Sequence, residues 1–208
     1  MSSWAARSKP LLGPGAGLLL FLLMPSFDKS VLDGLSAWGD DGLGRLFAEG
    51  AYWAGHGVVQ IVLCNIWLLA TRYYKSGRAK VEFYHGAAGL AAVVGSGIIA
   101  QILKHLVGRA RPRMTLPPWE HIGPSFDSDL HSFPSGHSAT SFALAAALAS
   151  RFPRQAWIFY TIAGLVGLGR VVGGSHYPSD VLAGAILGLV VGWFLADMAW
   201  KRTKERAT

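Results

Sequence analysis

The sequence predicts an all-α, polytopic membrane protein with six transmembrane helices, and three features of the chain support this. The 208 residues are 51% hydrophobic and only 15% charged, with a mean hydropathy of +0.34, whereas soluble domains are about a quarter charged. Six apolar segments follow one another along the chain, most of them close to the roughly 20 residues that cross a bilayer as a helix. Basic residues concentrate in alternate loops between them. We therefore expect one integral-membrane domain over residues 1–208.

The six apolar segments span residues 11–27, 51–70, 86–107, 134–149, 156–172 and 181–200. The first follows two basic residues, as in a signal peptide, but no small-residue cleavage site follows its apolar core, so a retained helix is expected. The fourth and fifth are shorter, which suits helices that end in a polar cavity. The sixth carries Gly184, Gly188 and Gly192 at four-residue spacing, which predicts close packing against a neighbouring helix.

The distribution of charge predicts the orientation. Basic residues precede segment one and follow segments two, four and six: Arg7, Lys9, Arg72, Lys75, Arg78, Lys80, Arg151, Arg154, Lys201, Arg202, Lys204 and Arg206. The positive-inside rule then predicts cytoplasmic termini, with the loops after segments one, three and five facing outward. The formal net charge of +7 thus reports topology, and no nucleic-acid partner is expected. The single cysteine, Cys64, excludes a disulfide within the chain and a cysteine-based zinc site.

The outward face carries a first cluster of charge around Lys104 and Arg111. If the third helix continues to Pro112, these two cations lie seven residues apart on one face, about 10 Å along the axis, and both can reach one anion. The alternative is a basic helix end whose side chains extend to the lipid headgroups. Two further arginines of this stretch are expected to point elsewhere: Arg109 and Arg113.

The second cluster opens the fourth segment. Pro134 suits the first turn of a helix, and Ser132 is a plausible cap. The amides of Ser135, Gly136 and His137 would then be free donors at the positive end of the helix, which is a ready anion site. His137 is placed to donate a proton. The alternative is an ordinary capped helix with a surface histidine.

The third cluster lies between the fifth and sixth segments. Arg170 ends segment five, and His176 and Asp180 stand four residues apart at the start of segment six. This spacing lets the carboxylate hold one imidazole nitrogen and leaves the other free to attack. The alternative is a structural His–Asp pair at a helix start.

Taken together, the clusters favour phosphoryl transfer. Topology places on one face three cations, a helix N-terminus, two histidines and one orienting carboxylate. This set suits a tetrahedral dianion attacked by one histidine while the second protonates the leaving group. Because no carboxylate cluster for Mg²⁺ is evident, a metal-free reaction without a cofactor is expected.

These residues also carry a family resemblance. The patterns K-x6-R-P over residues 104–112, P-S-G-H over 134–137 and R-x5-H-x3-D over 170–180 resemble the three signatures of the type 2 phosphatidic acid phosphatase family. That family also includes vanadium haloperoxidases and bacterial acid phosphatases. One departure is Gly169, where the third signature usually has serine. The loss of that hydroxyl bears on local geometry rather than on the class.

The resemblance implies a role for each matched residue. His176 would be the nucleophile that becomes phosphohistidine, Asp180 would orient it, and His137 would be the general acid. The phosphate would be bound by Lys104, Arg111, Ser135, Gly136 and Arg170. Membrane members of the family have six helices with the site at the outer face.

Three polar residues outside these patterns have other expected roles. His131 would line the entrance or simply be solvated, and His56 and Gln60 would hydrogen-bond across helices.

The expected function is that of a metal-independent lipid phosphatase in the plasma membrane, or inner membrane, with its site facing the periplasm or exterior. Bacterial relatives of this kind act on undecaprenyl pyrophosphate, phosphatidylglycerophosphate, phosphatidic acid or lipid A phosphate, and the sequence does not choose among them. A lipid phosphotransferase with the same site, a small transporter or flippase, and a catalytically dead scaffold are alternatives. The expected partners are the substrate lipid and the bilayer, with no obligatory protein partner.

Overall fold

The computed structural model describes residues 14–114, 116–117, 120 and 123–205. In this part of the chain the regular elements are α-helices and short 3-10 turns. The α-helices are α1 (Pro14–Gly39), α2 (Gly42–Gly55), α3 (Gly57–Ala70), α4 (Ser76–Val107), α5 (Gly136–Arg151), α6 (Ala156–Val172) and α7 (Pro178–Glu205). The all-helical prediction is confirmed. Helix α6 has the predicted bounds, whereas α4 begins at Ser76 rather than at residue 86.

Several helices have the length and apolar composition of membrane spans. Within the described residues these are Gly77–Val107, Pro153–Val172 and Pro178–Lys204, and α2 with α3 qualifies as one span bent by 50°. The total of six spans and the cytoplasmic termini stay predictions. Arg7, Lys9 and Arg206, together with the start of the first predicted segment, lie outside the described residues.

The second predicted segment is broken rather than continuous. His56 caps both α2 and α3 in an extended conformation, with φ −70° and ψ 123°. Glycine on either side, at Gly55 and Gly57, lowers the helix propensity at this point. The break leaves backbone carbonyl groups that need donors. Gln60 Nε2 donates to the carbonyl oxygen of Ala54 at 3.3 Å.

Helix α5 is the centre of the bundle and packs against α4, α6 and α7. Its contact with α7 depends on the glycines of α7. A Cβ added at Gly188 would overlap the carbonyl oxygen of Ala139, and one added at Gly192 would lie 2.8 Å from Ala146 Cβ. The predicted close packing along this glycine strip is confirmed.

Helix α4 ends at Val107, where the predicted apolar segment ends, and does not continue to Pro112, so Lys104 and Arg111 do not share a helical face. Gly108 adopts the left-handed conformation, with φ +60°, and its amide donates to the carbonyl oxygen of Lys104 at 3.1 Å. Such a glycine terminates a helix because it has no Cβ to oppose positive φ. Here a Cβ would also overlap the carbonyl oxygen of Gly123. The chain therefore reaches Arg111 through a turn, at the end of the bundle where α4 ends and α5 begins, which we call the site end.

Candidate active site

The predicted site residues meet at the site end, through contacts between three segments. The amide of Ser135 donates to the carbonyl oxygen of Asp180 at 2.9 Å, joining the start of α5 to the start of α7. A Cβ on Gly136 would lie 3.8 Å from Lys104 Cε, which brings in the end of α4. The amide of His176 donates to the carbonyl oxygen of Arg170 at 3.3 Å.

His176 and Asp180 face each other in the interior. Their side chains are 3% and 0% exposed, and His176 Nδ1 lies 3.6 Å from Asp180 Oδ2. That distance is too long for a hydrogen bond. Burial, together with the Lys104 and Arg111 charges, lowers the pKa of His176 to about 4 against the opposing effect of Asp180. The imidazole is therefore neutral near pH 7, with Nε2 on the ring edge away from the carboxylate.

Asp180 is held by more groups than sequence reasoning identified. Ser132 Oγ donates to its Oδ2 at 2.6 Å, and the amide of Tyr177 donates to the same oxygen at 2.9 Å. Arg109 NH1 donates to Oδ1 at 2.5 Å, while Arg109 NH2 donates to Asp28 Oδ2 at 2.7 Å. The expectation that Arg109 points away from the site is wrong, because the turn at the end of α4 directs it inward. No local sequence pattern marks Asp28, which lies on α1, as a partner of this site.

The first turn of α5 differs from the prediction in its capping residue and in its free amides. The cap is Ser135, whose Oγ accepts from the amide of Ser138 at 3.4 Å. The prediction of Ser132 as the cap is wrong, since its hydroxyl is committed to Asp180. The amide of Ser135 is likewise not free. The first two amides of the helix, those of Gly136 and His137, have no acceptor within the helix, and amides in this position can donate to an anion.

Three cations surround this helix terminus. Lys104 is 6% exposed and Arg170 is 9% exposed, and Lys104 Nζ donates to the carbonyl oxygen of His131 at 2.6 Å. Lys104 thus does not extend to headgroups. Arg111 donates to the carbonyl oxygens of Ser128, at 3.0 Å, and Ser175, at 3.3 Å. Burial lowers the pKa of Arg111, and the neighbouring Arg113 adds to this. Clustered cations with neutral carbonyl partners favour an anionic ligand.

Three further aromatic residues enter the site from unexpected places. The Tyr52 ring lies 5.0 Å from the His137 ring and 5.3 Å from the Arg170 guanidinium carbon. The His56 ring lies 6.2 Å from the His137 ring. His131 is buried, with 8% of its surface exposed, so the interpretation of it as a solvated histidine is wrong. No local sequence pattern marks Tyr52, because its position depends on the packing of α2 on α6.

Gly169 departs from the usual serine for a packing reason. A Cβ at this position would overlap Ala51 Cβ and lie 3.7 Å from Ala48 Cα, both on α2. Glycine therefore lets α2 approach α6 closely, which is the approach that carries Tyr52 to Arg170. The contact between α2 and α6 therefore explains why this position has glycine instead of serine.

We expect Gly169→Ser to destabilise the protein by about 1–3 kcal/mol, because the added atoms push α2 away from α6. Ala51→Gly in the same chain removes the opposing Cβ and should recover part of that loss. Thermal unfolding in detergent of both single variants and the double variant measures the coupling between the two positions. Gly164→Ser is the matched control on α6, since a Cβ there meets nothing within 4 Å. Equal effects at 164 and 169 would contradict the packing explanation.

Comparison with known proteins adds an independent observation. The family model described as the PAP2 superfamily matches residues 86–204, which is more than half of the chain. A lipid A 1-phosphatase of Rhizobium etli is 40% identical over 131 residues, which cover 58% of this chain and 53% of that protein. The undecaprenyl-diphosphatase BcrC of Bacillus subtilis is 26% identical over 133 residues, covering 64% of this chain and 63% of that protein. The chain spans about half the length of the lipid A 1-phosphatase that it matches.

A solved structure shares the fold. The transmembrane PAP2-type phosphatidylglycerolphosphate phosphatase of Bacillus subtilis superposes with a TM-score of 0.65 at 22% sequence identity, covering 90% of this chain and 96% of that one. At this identity the likeness bears on the fold alone. The matched region of the family model contains every residue of the three sequence clusters described above.

Proposed function

The chain belongs to the PAP2 superfamily, and from that premise we propose that it is a metal-independent, integral-membrane lipid phosphatase. The observation that carries the proposal is the site end, where buried Lys104, Arg170 and His176 surround the start of α5. Cations, helix amides and a neutral buried histidine match the needs of phosphoryl transfer to a nitrogen nucleophile.

The proposed reaction has two steps. His176 Nε2 attacks phosphorus, forming an N–P bond, while the bond from phosphorus to the leaving oxygen breaks and that oxygen takes a proton from His137. Asp180 stabilises the positive charge that develops on the His176 ring. Water then attacks phosphorus and gives a proton to His137, and the N–P bond breaks. Lys104, Arg111 and Arg170, with the hydroxyl of Ser135 and the amides at Gly136, would stabilise the phosphoryl oxygens.

An apolar groove supports a lipid as the substrate. It lies between α3 and α4, has a volume of about 670 Å³ and is lined by residues that include Ile61, Val93, Gly97, Gln101, His105 and Thr140. His105 is adjacent to Lys104 in sequence, and Thr140 is one helical turn beyond His137. A lipid chain in this groove would therefore place its headgroup at the cations and helix amides.

The choice of lipid and the orientation in the membrane are part of the proposal. The names of the relatives favour lipid A 1-phosphate and undecaprenyl diphosphate as first candidates, with phosphatidylglycerophosphate and phosphatidic acid next. The charge distribution favours six spans, cytoplasmic termini and a site facing the periplasm or exterior. In that arrangement the substrate reaches the site from within the outer leaflet.

The proposal is tested by phosphate release from purified protein in detergent with EDTA present. The panel comprises lipid A 1-phosphate, undecaprenyl diphosphate, phosphatidylglycerophosphate and phosphatidic acid. EDTA-resistant release from at least one lipid is expected, and the order of kcat/KM identifies the substrate class. Absence of release from all four lipids would refute hydrolysis, and formation of a phosphorylated alcohol only when an acceptor alcohol is added would indicate transfer instead.

The acid side of the pH profile gives a further prediction. Burial lowers the pKa of His176 to about 4, so at pH 5 about 90% of the rings would be neutral, against about 3% for a histidine with the ordinary pKa of 6.5. Only the neutral ring attacks phosphorus. Activity should therefore persist through pH 5 and fall as the pH drops through about 4. The measurement is kcat/KM for an aryl phosphate, corrected for ionisation of the substrate, and an acid limb near pH 6.5 would contradict it.

A further inference from the structure

The break between α2 and α3 presents His56 to the candidate general acid. The rings of His56 and His137 are 6.2 Å apart and nearly perpendicular, at 70°. Gly55 packs against the same histidine, since a Cβ there would lie 3.0 Å from His137 Cδ2. Irregular backbone at membrane depth is tolerated only where protein buries it or where it lines a polar cavity. The break therefore belongs to the wall of the site.

Two ring nitrogens at this wall lack partners. Among the described residues, His56 Nδ1 and His137 Nε2 are both buried without a hydrogen bond. Gln60, at the same break, donates from Nε2 to Ser141 Oγ at 2.8 Å, while its Oε1 is buried without a partner. Because leaving a buried polar atom unpaired is destabilising, two such atoms on facing rings point to a ligand that satisfies both.

The position of His56 identifies which part of a substrate it would meet. Gly57, the next residue, and Thr140, one turn beyond His137, both line the apolar groove. His56 thus lies between the general acid and the space proposed for the lipid chain. The rings of Tyr52 and Trp53 lie 5.4 Å and 5.7 Å from the His56 ring, so this wall is aromatic.

We propose that His56 contacts the leaving group. This rests on the proposed phosphatase function, in which His137 gives its proton to the leaving oxygen. His56 would donate a hydrogen bond from Nδ1 to a second oxygen of the same group, with no net proton transfer. The site therefore prefers leaving groups that carry an oxygen beside the broken bond. Two chemistries satisfy this: the phosphate of a lipid diphosphate and the sugar of a lipid glycosyl phosphate.

The test compares substrates that differ in the leaving group. Undecaprenyl monophosphate releases a plain alcohol, undecaprenyl diphosphate releases a lipid phosphate, and lipid A 1-phosphate releases a sugar. We expect His56→Phe, which keeps a ring but removes both nitrogens, to lower kcat/KM about tenfold for the diphosphate, the sugar phosphate or both. For the monophosphate the change should stay within about twofold. The substrate that loses activity identifies the source of the second oxygen.

Two further measurements separate this role from a structural one. Inhibition by orthovanadate, a mimic of the transferred phosphoryl group, should change less than about twofold in His56→Phe, because His56 does not contact that group. His56→Gln, which restores a donor, should recover part of the lost rate. Equal losses on all three substrates, weaker vanadate inhibition, or no loss on any substrate would overturn the proposal. A wild-type protein that hydrolyses none of these three lipids would overturn the leaving-group preference, whereas one that also hydrolyses neither phosphatidylglycerophosphate nor phosphatidic acid would refute the proposed phosphatase function.

Discussion

Replacing His176 with alanine is expected to abolish phosphate release, lowering kcat by about a thousandfold or more. The substitution removes the only nitrogen that the proposed reaction uses to attack phosphorus. It leaves the cations and the helix terminus in place, so the lipid should still bind. The measurement is phosphate release from the best lipid of the panel by wild-type and variant protein in parallel, with EDTA present.

The control for this prediction is a trapped intermediate. With an aryl phosphate, whose leaving group needs little protonation, His137→Ala should still form phosphohistidine but hydrolyse it slowly, because no base activates the water. An acid-labile phosphoprotein should therefore accumulate in His137→Ala and be absent from the double variant His137→Ala/His176→Ala. A His176→Ala protein that is folded, as judged by size exclusion and thermal unfolding, yet retains more than a tenth of the activity would refute the nucleophile assignment.

The site residues predicted from local patterns are the ones the structure brings together. At the site end Lys104 lies against Gly136. Both Lys104 and His176 are close enough to His137 to interact with it electrostatically. Their prediction depended on the spacing of residues within short motifs and on the alternation of basic and non-basic loops along the chain. Both can be read directly from the sequence. The roles assigned to them stay predictions until the variants are measured.

The parts that sequence reasoning missed depend on contacts between remote segments. Arg109 lies 81 residues from Asp28 and 71 from Asp180, and no local pattern links three charges over such separations. The early end of α4 had a local signal in Gly108, a typical helix-terminating residue. That glycine indicates that Arg109 lies beyond the end of the helix, but it does not identify the partners of Arg109.

The break at His56 had a signal as well, in the glycines on either side. In an apolar segment of the right length this signal is outweighed by hydrophobicity, because glycine is common in membrane helices. What decides the outcome is whether partners exist for the freed carbonyl groups. One partner, Gln60, is nearby on α3, but the other, Thr140, becomes available only after α5 has packed against the break.

The second prediction concerns Arg109, which connects two carboxylates in the interior. The Asp28 and Asp180 side chains are both 0% exposed, and Arg109 is 4% exposed. Arg109→Met keeps much of the volume but leaves two buried carboxylates without a countercharge. We expect it to destabilise the protein by about 3–5 kcal/mol, the usual cost of breaking a buried pair from one side. The loss of stability is measured by thermal unfolding in detergent, and phosphate release is recorded on the same samples.

A matched control lies four residues further along the chain. Arg113 pairs with Asp129, but their side chains are 60% and 43% exposed, so Arg113→Met should cost less than about 1 kcal/mol. A similar loss of stability in the two variants would contradict a special role for the buried arginine. Arg109→Lys should also be poorly tolerated, because an ammonium group lacks the planar fork that reaches both carboxylates at once.

Neutralising Asp28 separates the contribution of Arg109 to stability from its contribution to catalysis. In Asp28→Asn/Arg109→Met one of the two unpaired charges is removed, so part of the stability should return relative to Arg109→Met alone. Asp180 would still lack its cationic partner and would hold His176 less well, so kcat should stay low in the double variant. Recovery of stability and kcat together would mean that Arg109 serves the fold alone. Recovery of stability without kcat would place Arg109 among the residues that position the His176–Asp180 pair.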